Sequence, residues 1–199
     1  RLRTVTGVQT CALPILLEAI AEASARNGRR IHMHLLETRY QRAWYDAEFP
    51  EGVVPFLDRI GLLSPRLTLA HCAWARPDEL ELLAERGVTI AVNTSSNFAL
   101  RSGIAPLAEM VRRGCRVAFG LDGCAFDEDD DGLREMRLAH ALHGGTGFRV
   151  DVARSEVLAM AFGNGRRSVL NAEEGGVLAA GQPADILLLD WSRSEEYTS

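Results

Sequence analysis

Two histidines and a glutamate lie close together near the beginning of the chain, within the run His32-Met33-His34-Leu35-Leu36-Glu37. The apolar residues of this run predict a β-strand, in which His32 and His34 point to the same face because side chains alternate with period two. Glu37 then falls just past the strand, where the backbone turns. Such a segment can bring a metal ligand and a proton carrier to one site, but a half-buried strand with two hydrogen-bonded histidines explains it equally well.

Three later apolar runs also end in polar residues. Residues 67–70 lead to His71, residues 88–92 lead to Asn93-Thr94-Ser95-Ser96-Asn97, and residues 116–121 lead to Asp122. Because functional groups collect at the carboxyl ends of parallel strands, these residues are expected on one rim. Two histidines, a glutamate and an aspartate together favour a divalent-metal site, in which a nearby carboxylate relays a proton from activated water.

The elements that position these residues alternate between helix and strand. Apolar spacing predicts strands at 30–36, 67–70, 88–92 and 116–121, and helices at 16–26, 40–49, 53–60, 77–86, 105–113, 132–142 and 151–162. Four short strands, each followed by a helix, predict an α/β fold with a parallel sheet covered by helices. Periodicity alone leaves open whether the sheet is doubly wound or part of a barrel.

The composition is that of a globular protein, since 47% of the 199 residues are apolar and 25% are charged. The formal net charge is −5, and the basic residues are scattered, which excludes a nucleic-acid-binding stripe. No apolar run approaches the roughly 18 residues of a membrane span. We therefore expect a cytoplasmic protein whose partner is a small molecule rather than a nucleic acid or a membrane.

All 22 basic residues are arginine. The absence of lysine excludes, within this chain, a Schiff-base lysine, a P-loop lysine and a carboxylated lysine that bridges two metals. The four cysteines, Cys11, Cys72, Cys115 and Cys124, form no Cys-x-x-Cys pair. Free thiols in a reducing compartment are therefore expected rather than a zinc finger.

Both ends of the chain differ in character from the rest. Residues 1–15 lack an amphipathic period and the layout of a signal peptide, and residues 193–199 are similarly out of character. Both resemble translated adapter read-through at the margins of metagenomic reading frames. We interpret them as non-native extensions and expect the native portion at 16–192.

Several motifs in a fixed order resemble the second half of the amidohydrolase superfamily, and most closely its cytosine-deaminase-like branch with triazine hydrolases and chlorohydrolases. The motifs are His34-x-x-Glu37, Leu69-Ala70-His71-Cys72, the run from Asn93 to Pro106, Gly120-Leu121-Asp122-Gly123 and Gly181-Gln182-Pro183-Ala184-Asp185 with the apolar residues that follow. The resemblance implies a partial (β/α)₈ TIM barrel. Residues 16–175 would form strands five to eight of that barrel, and residues 176–192 a strand of a small composite β-domain.

The resemblance also implies a role for each residue of the rim. His34 would be a metal ligand, Glu37 the proton shuttle, His71 the group that orients water or substrate, and Asp122 both metal ligand and proton acceptor. The cofactor would be one divalent metal, zinc more readily than iron. The reaction would be attack of metal-bound hydroxide on an N-heterocycle carbon that carries an amino or halide group. His32 would be a neighbour of the site rather than a ligand.

The resemblance departs from the family pattern at one point. The family takes two further metal ligands from a His-x-His motif on the first barrel strand, and no such motif precedes His32. We therefore expect a fragment that is inactive without the missing N-terminal half. A half barrel also has unpaired strand edges, which favour a homo-oligomer.

Smaller features have both a binding and a structural interpretation. Trp74 could stack on a heterocycle or simply pack, and Asn97 could bind substrate or form a turn. The acidic run from Asp127 to Asp131 is interpreted as a solvated cap of the next helix, with selection of an amino-bearing substrate as the alternative.

Two other functions fit part of the pattern. A cyclic-amide hydrolase of the dihydroorotase type belongs to the same superfamily, but that class depends on a bridging lysine, and Glu37 after His34 suits deamination better. A non-catalytic α/β module would use the same polar rim to bind a small ligand or a partner chain. The metal content of the full-length parent distinguishes these readings, because a binding module would contain neither zinc nor iron.

Overall fold

The computed structural model describes residues 6–123, 131–170, 177–188 and 190, with side chains from residue 14 onward. The first half of the described chain contains α1 (Thr6–Asn27), β1 (Ile31–Leu35), α2 (Arg39–Glu48), α3 (Val53–Arg59), β2 (Leu67–His71), α4 (Pro77–Glu85), β3 (Thr89–Val92), α5 (Thr94–Ala99), α6 (Leu107–Arg112) and β4 (Arg116–Phe119). The second half contains α7 (Gly132–His143), β5 (Gly145–Thr146), β6 (Arg149–Val150), α8 (Arg154–Ala159), a π-helical turn (Met160–Asn164) and α9 (Gly165–Leu170).

The first four strands form one parallel sheet in the order β1-β2-β3-β4. A doubly wound sheet reverses its order at a switch point, and this sheet does not. Right-handed crossovers in an unreversed sheet place their helices on the same face, as in a barrel wall. The parallel sheet with covering helices that the sequence predicts is confirmed, and the strand order favours the barrel type of winding.

The core lies between the sheet and these helices. Strands contribute Leu35, Leu69, Ile90 and Val117, and helices contribute Leu57, Leu80, Leu83, Leu107 and Met110, all at most 1% exposed. The buried positions of the amphipathic helices face the sheet, which is the pattern expected of crossover helices. Packing of this core holds the carboxyl ends of the four strands at a common rim.

The ends of the helices follow local sequence signals. The Thr38 side chain accepts a hydrogen bond from the Gln41 N–H at 3.1 Å and caps α2. Pro77 occupies the first turn of α4, where a missing N–H costs nothing. Gly28 follows α1 with a φ of +65°, the left-handed conformation that ends many helices.

Among the described helices, none has both the length and the apolar content needed to cross a membrane.

The structure differs from the predicted elements in the first helix, which begins at Thr6 instead of residue 16 and includes Pro14. The polar run after β3, for which the sequence predicted no helix, forms the short helix α5. Residues 177–188 and 190, within the segment predicted as a strand of a small composite β-domain, are not assigned to a strand in the structure. A strand needs a neighbour to satisfy its backbone groups, and none of the described strands pairs with this segment.

Candidate metal centre

Three side chains from different strand ends meet at the rim. His34 extends from β1, His71 ends β2, and Asp122 follows β4 by three residues. The His34 Nε2 lies 3.6 Å from Asp122 Oδ1, and the His71 Nε2 lies 3.9 Å from Asp122 Oδ2. One ligand atom from each of the three residues lies within 4.8 Å of the others. The structure thus brings together three groups that the sequence placed on separate strands.

The spacing and surroundings of these atoms fit a metal ion. Distances of 3.6 and 3.9 Å are too long for hydrogen bonds. Ligand atoms around a tetrahedral ion with bonds near 2.0–2.1 Å lie about 3.3 Å apart, which is close to these gaps. The His71 side chain is 0% exposed, and its Nε2 has no hydrogen-bond partner among the described residues. A buried nitrogen without a partner is costly, and a divalent ion between the three groups would satisfy it.

The backbone at the rim is locally strained. Four non-glycine residues there have positive φ, namely Leu36 at +52°, His71 at +71°, Cys72 at +46° and Asp122 at +65°. This conformation is unfavourable for L-residues and persists where surrounding structure imposes it. The N–H of Cys72 donates to Leu35 O at 3.0 Å, which ties the ends of β1 and β2 together. Strain of this kind is common at functional sites.

The other ring nitrogen of His71 determines its tautomer. Asn97 Oδ1 lies 2.8 Å from His71 Nδ1, whereas Asn93 Nδ2 lies 3.5 Å from the same nitrogen. A protonated nitrogen cannot also accept a hydrogen bond from Asn93, so the shorter contact decides: Nδ1 carries the proton and donates to Asn97. The Nε2 lone pair of His71 is then available to a metal or a reacting molecule.

Asp122 is held by a hydrogen bond from α5. The Ser96 hydroxyl donates to Asp122 Oδ2 at 2.6 Å. Partial burial raises the pKa of Asp122, but this hydrogen bond and the nearby His71 and His34 outweigh burial and lower the pKa below its ordinary value. The carboxylate is therefore ionised at neutral pH and able to bind a cation.

Glu37 follows β1 by two residues and lies outside the three-residue group. Its Oε1 accepts a hydrogen bond from the Ser102 hydroxyl at 3.0 Å, and its backbone N–H donates to Gln41 Oε1 at 2.8 Å. The loop that carries Ser102 is anchored by Trp74, whose indole N–H donates to Ser102 O at 2.7 Å. The indole also packs on Gly103, where an added Cβ would lie 3.0–3.3 Å from the ring.

The two candidate substrate-binding residues differ in exposure. Trp74 is 37% exposed, whereas Asn97 is 2% exposed. Asn97 contacts His71, and its Nδ2 has no partner among the described residues.

The other polar residues singled out in the sequence include His32 and Asp131. Partial burial is the main cause that lowers the pKa of His32, and the nearby His34 and His71 lower it further. Asp131 caps α7 by accepting from the Leu133 N–H at 2.8 Å, as the cap interpretation predicts, while residues 127–130 and Cys124 lie outside the described residues.

Cys72 and Cys115 are free thiols in the structure. Burial raises the pKa of both, and that of Cys115 reaches about 11. Neither is activated as a nucleophile or metal ligand. Two residues that contact the candidate site residues were missed by the sequence reasoning: Ser96 and Ser102, which hydrogen-bond to Asp122 and Glu37, lie within quoted motifs without an assigned role.

The fold and the site define a class of protein. A parallel sheet in sequential order presents histidine and aspartate side chains at the carboxyl ends of its strands, and the model of the amidohydrolase family matches residues 5–198. The chain therefore belongs to the amidohydrolase family, and the resemblance inferred from the motifs is confirmed. The matched range includes most of the two terminal segments that the sequence set apart.

Individual relatives are deaminases and chlorohydrolases. The chain is 34% identical over 198 residues to a 5'-deoxyadenosine deaminase of Methanosarcina barkeri, covering 98% of this chain and 45% of that protein. It resembles the crystal structure of an adenosine deaminase from Xanthomonas campestris with bound zinc, with a TM-score of 0.81, 29% identity, and coverage of 90% of this chain and 41% of that one. An atrazine chlorohydrolase from Arthrobacter aurescens TC1 complexed with zinc gives a TM-score of 0.76, 28% identity, and coverage of 86% and 38%. The chain spans less than half the length of these relatives.

Proposed function

We propose that the described sheet is strands five to eight of a (β/α)₈ barrel and that residues 16–175 form half of it. The sequential strand order supports this assignment, because a closed barrel is wound without reversal. The coverage supports it too, since the match to the adenosine deaminase structure includes 90% of this chain but only 41% of that one. The complete barrel would need the portion that the relatives possess and this chain lacks.

We propose that His34 and Asp122 bind one divalent metal, zinc in preference to iron, and that His71 orients the water or the substrate. Zinc in two of the similar structures supports this choice. Such an ion, when bound, supplies a Lewis acid that makes water a nucleophile near neutral pH. The observation that carries the proposal is the meeting of His34, His71 and Asp122 around the Nε2 of His71, a nitrogen that no described residue hydrogen-bonds.

The remaining residues would move protons and hold the substrate. Asp122 would accept one proton of the attacking water, and Glu37, held by the Ser102 hydroxyl and itself protonated, would donate one proton to the leaving amino group; exchange with solvent would then return Asp122 to the carboxylate and Glu37 to the acid. Water would add to the ring carbon, the carbon–nitrogen bond would break, and ammonia would leave; with a halide in that position, chloride would leave instead. The Nδ2 of Asn97, which has no hydrogen-bond partner among the described residues, would donate to a ring nitrogen, and the exposed face of Trp74 would border the ring.

The substrate class that follows is an N-heterocycle with an amino group, of the adenosine type. The relative that acts on 5'-deoxyadenosine and the adenosine deaminase structure both support this choice. The chlorohydrolase supports dehalogenation as the variant of the same reaction. We propose that the isolated chain is inactive, because its described residues offer two of the proposed metal ligands, His34 and Asp122, and the family places two more in the other half.

Zinc titration of the isolated chain tests the site. We expect a dissociation constant on the order of micromolar or weaker, because few protein ligands are present. Asp122→Asn and His34→Gln should weaken zinc binding about tenfold or more. His143→Gln, which changes a histidine of α7 outside the cluster, is the control. Equal affinities of all four proteins would contradict the site, and tight nanomolar binding would contradict the fragment.

Activity requires the other half of the barrel. In a chimera, residues 16–190 would replace the matching part of the Methanosarcina barkeri deaminase, and ammonia release from 5'-deoxyadenosine would be measured with zinc present. We expect turnover that falls at least about a hundredfold in Glu37→Gln, because a general acid–base is lost. A chimera that folds and binds zinc but releases ammonia at the same rate with and without Glu37 would refute the proposed role.

A further inference from the structure

A buried glutamate of α7 is not among the three clustered residues, but it contacts the short helix α5. Glu135 is 1% exposed, and its carboxylate accepts hydrogen bonds from the backbone N–H groups of Thr94 and Ser95. The Ser95 N–H lies 3.3 Å from Oε1 and 3.2 Å from Oε2. These two N–H groups belong to the first turn of α5, so the side chain of one helix caps another.

The short helix α5 depends on this contact. It has six residues, TSSNFA, and the side chains of Ser, Thr and Asn favour caps and turns over helix interiors. The first N–H groups of a helix have no partner within it. In the described structure the Asn93 side chain does not cap α5, although it precedes the helix directly. Glu135 therefore supplies the acceptor that the local sequence lacks.

The same helix carries two contacts to the metal centre. Ser96, which is 0% exposed, donates to Asp122, and Asn97 accepts from His71. Because these two residues are adjacent on a helix of less than two turns, a shift of its first turn moves both hydrogen bonds together. The carboxylate of Asp122 would lose its fixed rotamer, and His71 would lose the acceptor that keeps the proton on Nδ1.

We propose that Glu135 is a positioning residue of the metal centre, which acts through α5 on both Asp122 and His71. The inference rests on the proposed metal site and extends it by a residue that touches neither metal nor substrate. It predicts two measurable consequences of losing the carboxylate: His71 no longer keeps a single tautomer, and zinc binding weakens.

The chain offers a matched control for this experiment. Glu156 is also a helix-capping glutamate, since its Oε2 accepts from the Ala153 N–H at 2.6 Å at the start of α8. None of the three clustered residues lies on α8. Glu156→Ala and Glu135→Ala thus remove the same kind of contact, and only the second is connected to the metal centre. Glu135→Gln keeps the shape of the side chain and retains one oxygen as an acceptor.

The test combines nitrogen-15 NMR of the histidine rings in the zinc-free chain with zinc titration of the same samples. In the unchanged chain and in Glu156→Ala we expect His71 to show the Nδ1–H tautomer and the same zinc affinity. In Glu135→Ala we expect a mixture of His71 tautomers and about tenfold weaker zinc binding, which is typical for the loss of a group that supports a ligand. Glu135→Gln should lie between the two.

The outcomes separate this inference from the proposed function. If the unchanged chain binds no zinc, the metal site fails, while the tautomer of His71 still decides the role of Glu135. If Glu135→Ala does not fold, the smaller change in Glu135→Gln decides it. An unchanged His71 tautomer and zinc affinity in the Glu135 variants, or an equal change in Glu156→Ala, would overturn the inference.

Discussion

The three clustered residues differ in how firmly they are held. His71 is fully buried and bound to Asn97, and Asp122 is bound to Ser96, whereas the His34 side chain is 54% exposed. A ligand whose orientation is fixed in advance loses less freedom when it binds a metal. Two of the three residues are therefore oriented before any ion arrives, and His34 can adjust to it.

The Ser96 hydroxyl should contribute to metal affinity through Asp122. We expect Ser96→Ala to weaken zinc binding about tenfold, because groups that orient a metal ligand typically contribute this much. Ser95→Ala is the control, since the Ser95 hydroxyl is buried on the same helix but has no hydrogen-bond partner among the described residues. Calorimetric zinc titrations of both variants measure the difference, and equal affinities would show that the contact to Asp122 has no such role.

Trp74 should contribute to stability as well as bordering the site. Trp74→Phe loses the hydrogen bond to Ser102 O and should cost about 1 kcal/mol in the free energy of unfolding, measured in urea. Trp44→Phe is the matched control, because Trp44 is similarly exposed, at 38% against 37% for Trp74. A smaller loss for Trp74→Phe than for Trp44→Phe would mean that the indole N–H does not anchor this loop.

At the scale of elements, a buried ion pair connects the helices that follow the first two site strands. Arg42 of α2 donates from Nη1 to both oxygens of Glu79 on α4, at 2.7 Å each, and it also pairs with Asp46. Arg42 and Glu79 are 8% and 3% exposed. Glu37 precedes α2 and Trp74 precedes α4, so this pair fixes the distance between two loops of the site.

Removal of this arginine should be far more destabilising than removal of a surface arginine. Arg42→Ala leaves the Glu79 carboxylate buried without its partner, which should cost about 3–5 kcal/mol in the free energy of unfolding. Arg59→Ala is the control, because Arg59 and its partner Glu51 are 61% and 43% exposed and surface pairs contribute at most about 1 kcal/mol. Similar losses in urea for both variants would contradict a structural role for the buried pair.

The contact between Arg42 and Asp46 predicts how the effect of removing Arg42 depends on pH. The hydrogen bond from Arg42 lowers the pKa of Asp46 below its ordinary value. A lowered carboxyl pKa stabilises the fold above the pKa of the unfolded chain, and this contribution is lost as the pH falls through the folded value. The difference in stability between the unchanged chain and Arg42→Ala should therefore shrink as the solution is made acidic, and a difference that grows would contradict it.

At the scale of the whole molecule, the sheet ends on both sides with a strand that has one neighbour. Among the described residues, β1 pairs only with β2, and β4 pairs only with β3. The outer edge of each strand presents backbone N–H and C=O groups, and such edges favour association with other chains. In a complete barrel these two edges would be closed by further strands.

The open edges predict self-association of the isolated chain. Sedimentation velocity should show oligomers that increase with concentration, and His32→Lys on β1 should reduce them, because a charged residue on an edge strand opposes pairing. Val169→Lys is the control, since Val169 is 72% exposed and lies on helix α9 rather than on an edge strand. Sedimentation as a monomer at every concentration would show that the edges do not associate, and an equal effect of both lysines would indicate another surface.

The sequence was a good guide to the strands and to the residues at their ends. Apolar runs and their polar ends are local patterns, so His34, His71 and Asp122 could be named without a structure. It did not determine whether the apolar residues at 177–188 pair as a strand, because a run of apolar residues forms a strand only where a partner strand lies beside it. It also predicted no helix at residues 94–99, because the acceptor that caps α5 belongs to a distant helix.

The amino-acid sequence by itself determined the order of the elements and the chemical types that reach the rim, because hydrophobic period, helix caps and strand ends are properties of neighbouring residues. Only the tertiary structure decided which groups form hydrogen bonds to the residues at the rim. Ser96 meets Asp122 across 26 positions of the chain, Glu135 meets Thr94 across 41, and Ser102 meets Glu37 across 65. Such contacts arise when packing brings separate loops together, and no local pattern encodes the partner of a hydrogen bond formed in that way.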